Sequence, residues 1–221
     1  MFNEIIYRPI LNLTIFIYNT LGANDFGLAI VTLTVFVRAI LLPLSLRATR
    51  TQKKISQLSP EIDKIKKDFP DQASQGAAMM ELYKKHKVNP IGGCLPLLLQ
   101  LPILLGVYQV LLNIFKPNSL AGLYSFVAKP EIIQPLMFGL LNMQSKSGFV
   151  SIIAGATQFI QAKMSLAQAP SSPSQAMNKN LMIAMPVLVA FIGWNLPMGV
   201  SLYWITTTLF SIGEQLYLRR S

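Results

Sequence analysis

The chain has 221 residues, a formal net charge of +10, and 52% hydrophobic against 13% charged residues. Charged residues at about half their usual share exclude an ordinary water-soluble domain and point to an all-α integral membrane protein. One cysteine, Cys94, excludes an intramolecular disulfide framework, and the sequence offers no metal-ligand spacing, no cofactor motif and no catalytic constellation of nucleophile, base or paired carboxylates.

Residues 1–24 are expected to form an amphipathic helix in the outer membrane interface. Glu4, Arg8, Asn12 and Asn19 fall near helical spacing, and Phe2, Ile5, Ile6, Ile10, Leu13, Phe16 and Ile17 cover the rest. Gly22 to Asp25 then turn the chain into the first of five predicted transmembrane helices, 25–46, 94–115, 148–166, 181–196 and 197–221, the last with a short tail. Pro43, Pro96, Pro102, Pro186 and Pro197 kink these helices or mark their ends, which neighbouring helices must accommodate.

Residues 47–93 are the one sizeable polar segment. Ile55, Leu58, Ile62, Ile65 and Phe69 recur at helical spacing, Pro70 breaks the helix, Asp71 caps the next, and Ala73, Ala77, Met80, Tyr83 and Val88 continue the pattern. A helical hairpin with a narrow apolar seam is expected. It carries ten basic residues against five acidic ones, and Lys53, Lys54, Lys66, Lys67, Lys84 and Lys85 make it a candidate contact for anionic lipid or an RNA-bearing partner. An ordinary solvated basic loop has the same composition. Residues 116–147 form the opposite loop, with apolar pieces too short to span, and 167–180, rich in Pro, Ser and Gln, form a second loop on the basic side. Fourteen of the nineteen Lys and Arg residues lie on the side of the hairpin, so the positive-inside rule places the hairpin and C-terminus in the cytoplasm and the N-terminus outside.

Arg38 lies inside the first span. A central arginine costs about 2.5–3.5 kcal/mol on insertion scales, so it needs a compensating environment. Thr34 sits one turn before it, Gln100 lies in the second span, Gln158, Gln161 and Ser165 in the third, and Ser201, Trp204, Thr208, Ser211 and Gln215 form a stripe on the fifth beside Tyr203 and Thr207. Each stripe alone fits polar residues joining neighbouring helices. Together with Arg38 they predict a wet, positively charged cavity. No intramembrane acid is placed to pair centrally with Arg38, since Asp25 and Glu214 fall near opposite membrane faces, so water entering from the cytoplasm is the expected compensation. His86 on the hairpin reads as a solvated side chain and Cys94 as a small packing residue.

The run KVNPIGGCLPLLLQLPILLGVYQVL, with TVFVRAILLPLSL around Arg38, MMELYKKHKVNP, FIQAKM and PMGVSLYWITTTLFSIGEQ, resembles the YidC-type membrane protein insertases, whose relatives serve mitochondrial and chloroplast membranes. The resemblance is co-linear along nearly the whole chain. It implies a protein of the bacterial cytoplasmic (inner) membrane with five core helices around a hydrophilic groove, open to cytoplasm and lipid. Arg38 would stand at its centre, with Thr34, Gln100, Gln158, Gln161, Tyr203, Trp204 and Thr208 as substrate-groove residues. Thr207, Thr208 and Glu214 depart from the Asn and Gln that many members carry. The implied partners are nascent membrane proteins, the ribosome, the signal recognition particle and its receptor, the Sec translocon and the bilayer, without sequence-specific nucleic-acid binding and without a cofactor. A small-solute transporter or channel is the alternative reading, though it would ordinarily show paired acids or inverted repeats. A chaperone that folds membrane proteins without inserting them would share these motifs.

Overall fold

The computed structural model describes residues 1–89, 95–166 and 175–220. Cys94 and residues 167–174 of the expected cytoplasmic loop lie outside them. The described residues form eight α-helices: α1 Arg8–Asn19, α2 Phe26–Gln57, α3 Ser59–Asp68, α4 Gln72–Lys85, α5 Leu95–Asn113, α6 Gly148–Leu166, α7 Gln175–Asn195 and α8 Met198–Arg220. A single π-helical turn, Asn3–Tyr7, leads into α1, and a short 3-10 turn, Ser119–Gly122, follows α5. The two-residue strands β1 Leu136–Met137 and β2 Leu141–Asn142 pair antiparallel in the 116–147 loop, where the sequence showed no strand pattern.

Among the described residues one helix, α2, is long and apolar enough by itself to cross a membrane, and Leu99–Asn113 and Ala184–Asn195 are shorter apolar stretches. At 32 residues α2 is about 48 Å long, so the first predicted span continues without a break into the segment expected as hairpin. Its start is well defined. Ala23 and Asn24 adopt left-handed backbone, and the Asp25 side chain accepts from the Leu28 N–H at 2.9 Å, satisfying one of the unpaired donors of the first turn. α7 begins at Gln175, inside the segment expected as loop.

The main core is centred on α1, α2, α5 and the start of α8. Leu11, Ile15, Tyr18, Phe26, Ile30, Leu33, Val110, Ile114 and Val200 are fully enclosed, and Phe26 meets Phe115 edge to face at 4.9 Å. Leu120, Leu123, Tyr124, Ile133 and Met137 from the 116–147 loop pack on this cluster, and Val127 and Met143 are buried in it. The apolar pieces of that loop therefore cover the core rather than lie loose on a surface. They also cover the polar stripe of α1. Asn12, only 3% exposed, donates to Gly122 O at 3.1 Å and accepts from the Tyr124 N–H at 2.6 Å, while Arg8 donates to Gly122 O at 2.9 Å and stacks over Tyr124. The interfacial helix expected from residues 1–24 is thus a packed element whose polar side holds a loop. The same loop reaches the start of α8, where the Met198 N–H donates to Ser145 O at 2.8 Å and the Gly199 N–H to Met143 O at 3.0 Å.

The hairpin forms as a separate small cluster of Leu58, Leu82 and Val88 with Ile55, Ile62, Ile65 and Tyr83 around it. Tyr83 and Val88 join this seam as expected, while the earlier expected positions on α4 do not. Leu82 is buried, whereas Met80 is 50% exposed and Ala73 and Ala77 face outward. The apolar residues of α4 are too weakly segregated to fix the facing side, and contact with α3 decides it. Glu61 and His86 approach to 3.6 Å across the hairpin.

Candidate functional site

α8 is the element on which the polar residues converge. It carries two polar stripes, about a quarter of a turn apart at 3.6 residues per turn. One is Ser201, Thr208 and Gln215, and it faces α6. The other is Thr207, Ser211 and Glu214, and it faces α2.

On the α6 side the pairing is regular. Ser151 and Ser201 approach to 3.2 Å, Thr208 donates to Gln158 at 3.0 Å, and Gln215 donates to Ser165 at 2.9 Å. Positions 151, 158 and 165 meet 201, 208 and 215, a rung every seven residues on both helices. A seven-residue repeat keeps one seam in register between helices crossing at a shallow left-handed angle. Small residues let a third helix join. Gly193 of α7 lies so close that a Cβ there would meet the Ser151 and Ser201 hydroxyls at 3.0 Å each. Gln158 and Thr208, expected as groove residues, are therefore bonded to one another and join two helices. In the sequence Ser201, Trp204, Thr208, Ser211 and Gln215 read as one stripe. Packing divides it, because α6 and α2 approach α8 from different sides.

On the α2 side Arg38 reaches across to α8. Its Nη2 donates to Ser211 Oγ at 2.9 Å and to Thr207 O at 3.3 Å. A charge-assisted bond of this kind contributes about 1.5–3 kcal/mol, comparable to the insertion cost of the charge. Ser211 in turn donates to Thr207 O at 3.1 Å. Nε of Arg38 is buried without a partner. Among the described residues no carboxylate oxygen lies within ion-pairing distance of Arg38, since the ion pairs formed there are Arg8–Glu4 and His86–Glu61. Further along the same interface Ser45 of α2 donates to Glu214 Oε2 at 2.9 Å, and Glu214 Oε1 is buried without a partner. Glu214, expected near the membrane face, is buried in this interface with Ser45 as its partner. Their signal was in the spacing, Ser45 seven residues after Arg38 and Glu214 three after Ser211.

The other expected site residues divide between groups. Gln100 of α5 donates to the Tyr203 hydroxyl at 2.6 Å, so α5 is tied to the same region of α8. Trp204 is half-buried and packs against the main core. Gln161 is half-buried on α6, its backbone carbonyl accepting from Ser165. Thr34 is 1% exposed and its hydroxyl donates to Ile30 O within its own helix at 2.6 Å, so it is buried one turn before Arg38 with its hydroxyl committed to its own helix. Lys53, Lys54, Lys66, Lys67, Lys84 and Lys85 are all exposed on α2, α3 and α4.

The chain has informative relatives. The family described as "60Kd inner membrane protein" matches residues 16–221. The chain is 32% identical over 218 residues to the membrane protein insertase YidC of Fusobacterium nucleatum, covering 97% of each. It is 34% identical over 214 residues to the YidC of Oleidesulfovibrio alaskensis, covering 96% of this chain and 38% of that longer protein. The crystal structure of an active YidC insertase with its first transmembrane domain resolved superimposes with a TM-score of 0.62 at 24% identity, over 96% of this chain and 45% of the other. That likeness is one of fold.

Proposed function

This chain belongs to the 60Kd inner membrane protein family, the family of the YidC membrane protein insertases, and from that premise we propose how its own residues carry out insertion. Arg38 is the centre of a hydrated groove between α2, α5, α6 and α8 that opens to the cytoplasm and to lipid. The groove draws in the short polar, often acidic, part of a nascent membrane protein while the adjoining apolar segment moves along α6 and α8 into the bilayer. Arg38 supplies the attraction, and hydration of the groove lowers the cost of bringing polar backbone partway across. Partitioning of the apolar segment drives release, assisted by about 2.3 kcal/mol per negative charge per 100 mV when the outside is positive. No covalent step is needed.

The observation that carries this reading is the state of Arg38, fixed on α8 by one side of its guanidinium, with Nε unpartnered and no carboxylate in ion-pairing distance among the described residues. A charge held in position but not neutralised can receive a carboxylate from outside the chain.

Length and surface support a five-span arrangement. α5 and α6 have 19 residues, α7 has 21 and α8 has 23, or about 28–35 Å of helix, enough for a hydrocarbon core of about 30 Å. Outward-facing Leu105, Phe149, Phe159, Ile160, Val187, Phe191 and Leu209 are exposed large apolar side chains that lipid would cover. With the basic hairpin inside, the 116–147 loop lies outside, where its bonds to Met198 and Gly199 close the outer end of the bundle. The exposed hairpin lysines then face anionic head groups, ribosomal RNA or targeting partners.

Replacement of Arg38 by Ala and by Lys tests the reading, with insertion of a single-span substrate bearing an acidic N-terminal tail scored in proteoliposomes. Loss of a charge-assisted contact of about 1.5–3 kcal/mol corresponds to a fall of about 10- to 100-fold for Arg38→Ala, with substantial retention in Arg38→Lys. Full activity of Arg38→Ala would remove the charge from the mechanism.

A further inference from the structure

The α2–α8 interface holds a buried acid for which insertion as described above has no use. Glu214 is 8% exposed. Its one hydrogen bond is from the Ser45 hydroxyl, which satisfies Oε2 without neutralising a charge, and Oε1 has no partner. The opposite defect lies at the neighbouring site, where the Nε of Arg38 is a buried donor without an acceptor. Both groups lie in the α2–α8 interface, and among the described residues no ion pair joins them. Ser211, three residues before Glu214 on the same stripe, holds the guanidinium in place. Buried unpaired donors and acceptors are costly and are normally eliminated by small side-chain rearrangements. Here each member of a complementary pair is instead bonded to a serine of the opposite helix.

We propose that Glu214 is a specificity-determining residue of the groove, an internal counter-charge against which the acidic group of a substrate must compete for Arg38. This rests on the groove reading above. In the resting protein Glu214 lowers the positive potential at the guanidinium, so weakly acidic segments are held poorly and only segments with enough negative charge displace its influence. The same carboxylate shortens the stay of strongly acidic segments, because it remains beside Arg38 to take over as they leave. Ser45 sets the balance by drawing the carboxylate toward α2.

The experiment uses full-length protein in proteoliposomes and single-span substrates identical except for zero to three acidic residues in the translocated tail. Glu214→Gln, which keeps the shape and removes the charge, is expected to raise insertion of the one-acid substrate about fivefold or more, a coupling of ordinary size between two sites. It should also lengthen the time a three-acid tail stays crosslinkable to α8. Ser45→Ala is expected to act in the opposite direction on the one-acid substrate, and Glu214→Asp to keep the steepness of the acid dependence, which separates loss of charge from loss of packing. In an Arg38→Ala background Glu214→Gln should have no selective effect. An unchanged acid dependence in Glu214→Gln, an equal loss for all substrates, or the same gain without Arg38 would each overturn the assignment. Loss of insertion in Arg38→Ala with an unaltered profile in Glu214→Gln would overturn the role of Glu214 alone, whereas full insertion by Arg38→Ala would overturn the groove reading and this role with it.

Discussion

Asn12→Ala separates a packed N-terminal helix from one that merely lies at an interface. Asn12 donates through Nδ2 to Arg8 O at 2.8 Å and to Gly122 O at 3.1 Å, and its Oδ1 accepts from the Tyr124 N–H at 2.6 Å. The change removes two bonds to the loop, each contributing about 1 kcal/mol net. It leaves the two partners in different states. Gly122 O keeps the Arg8 Nε donor at 2.9 Å, but the half-buried Tyr124 N–H loses its acceptor, and an orphaned donor costs about 1–3 kcal/mol. The expected loss is about 2–4 kcal/mol. Arg8→Ala alone removes one bond to a carbonyl that Asn12 still serves and a cation–π contact at 4.9 Å, for about 1–2 kcal/mol. The double variant should exceed the sum of the singles, because only then does Gly122 O lose both donors. Reversible unfolding in mixed micelles measures the free energies, and hydrogen exchange over 119–128 reports whether the loop has released. A loss below about 0.5 kcal/mol for Asn12→Ala, the scale of an ordinary surface substitution, or strict additivity with Arg8→Ala, would refute the clamp.

Three further outcomes concern other regions. A Cβ on Gly155 would meet Pro186 O and the Ala190 Cβ at 2.9 Å each, so Gly155→Val should force α6 and α7 apart and cost about 1–3 kcal/mol in the same unfolding assay. Gly76→Ala on α4, where a Cβ meets nothing within 4 Å, should instead stabilise the hairpin by about 0.5–1 kcal/mol. On the hairpin, the Ser74 hydroxyl and backbone N–H both donate to the Asp71 carboxylate and hold its pKa below the ordinary range. A carboxyl depressed by folding contributes stability that is present at neutral pH and disappears as pH falls through the folded value. Hydrogen-exchange protection of α4, corrected for intrinsic rates, should therefore fall below pH 4 or so in the wild type. Asp71→Asn, a neutral N-cap, should remove that pH dependence, and an unchanged pH slope would show that the cap does not control the start of α4.

The family and the helical, basic character of the 47–93 segment were legible in the chain because they rest on local quantities. Apolar run length, Pro and Gly punctuation and the crowding of Lys and Arg into 47–93 need no knowledge of neighbours, and the motif around Lys87 to Leu111 is specific as written. Arg38 was equally conspicuous, since a charge in an apolar run is costly wherever the helix lies. Tertiary structure decided which neighbour each polar residue serves. Thr34 and Arg38 share a face, yet Thr34 turns back to Ile30 in the core while Arg38 spans to Ser211. Gln158 and Thr208 could have lined a cavity, and they bond to one another because α6 and α8 run in seven-residue register. Asn12 reads as a water-facing residue until a loop more than a hundred positions away covers it. Helical periodicity reports the angle of a side chain about its own axis but not what stands opposite, and on α8, polar on more than one side, only the packing of α2, α5 and α6 could assign the facing partners.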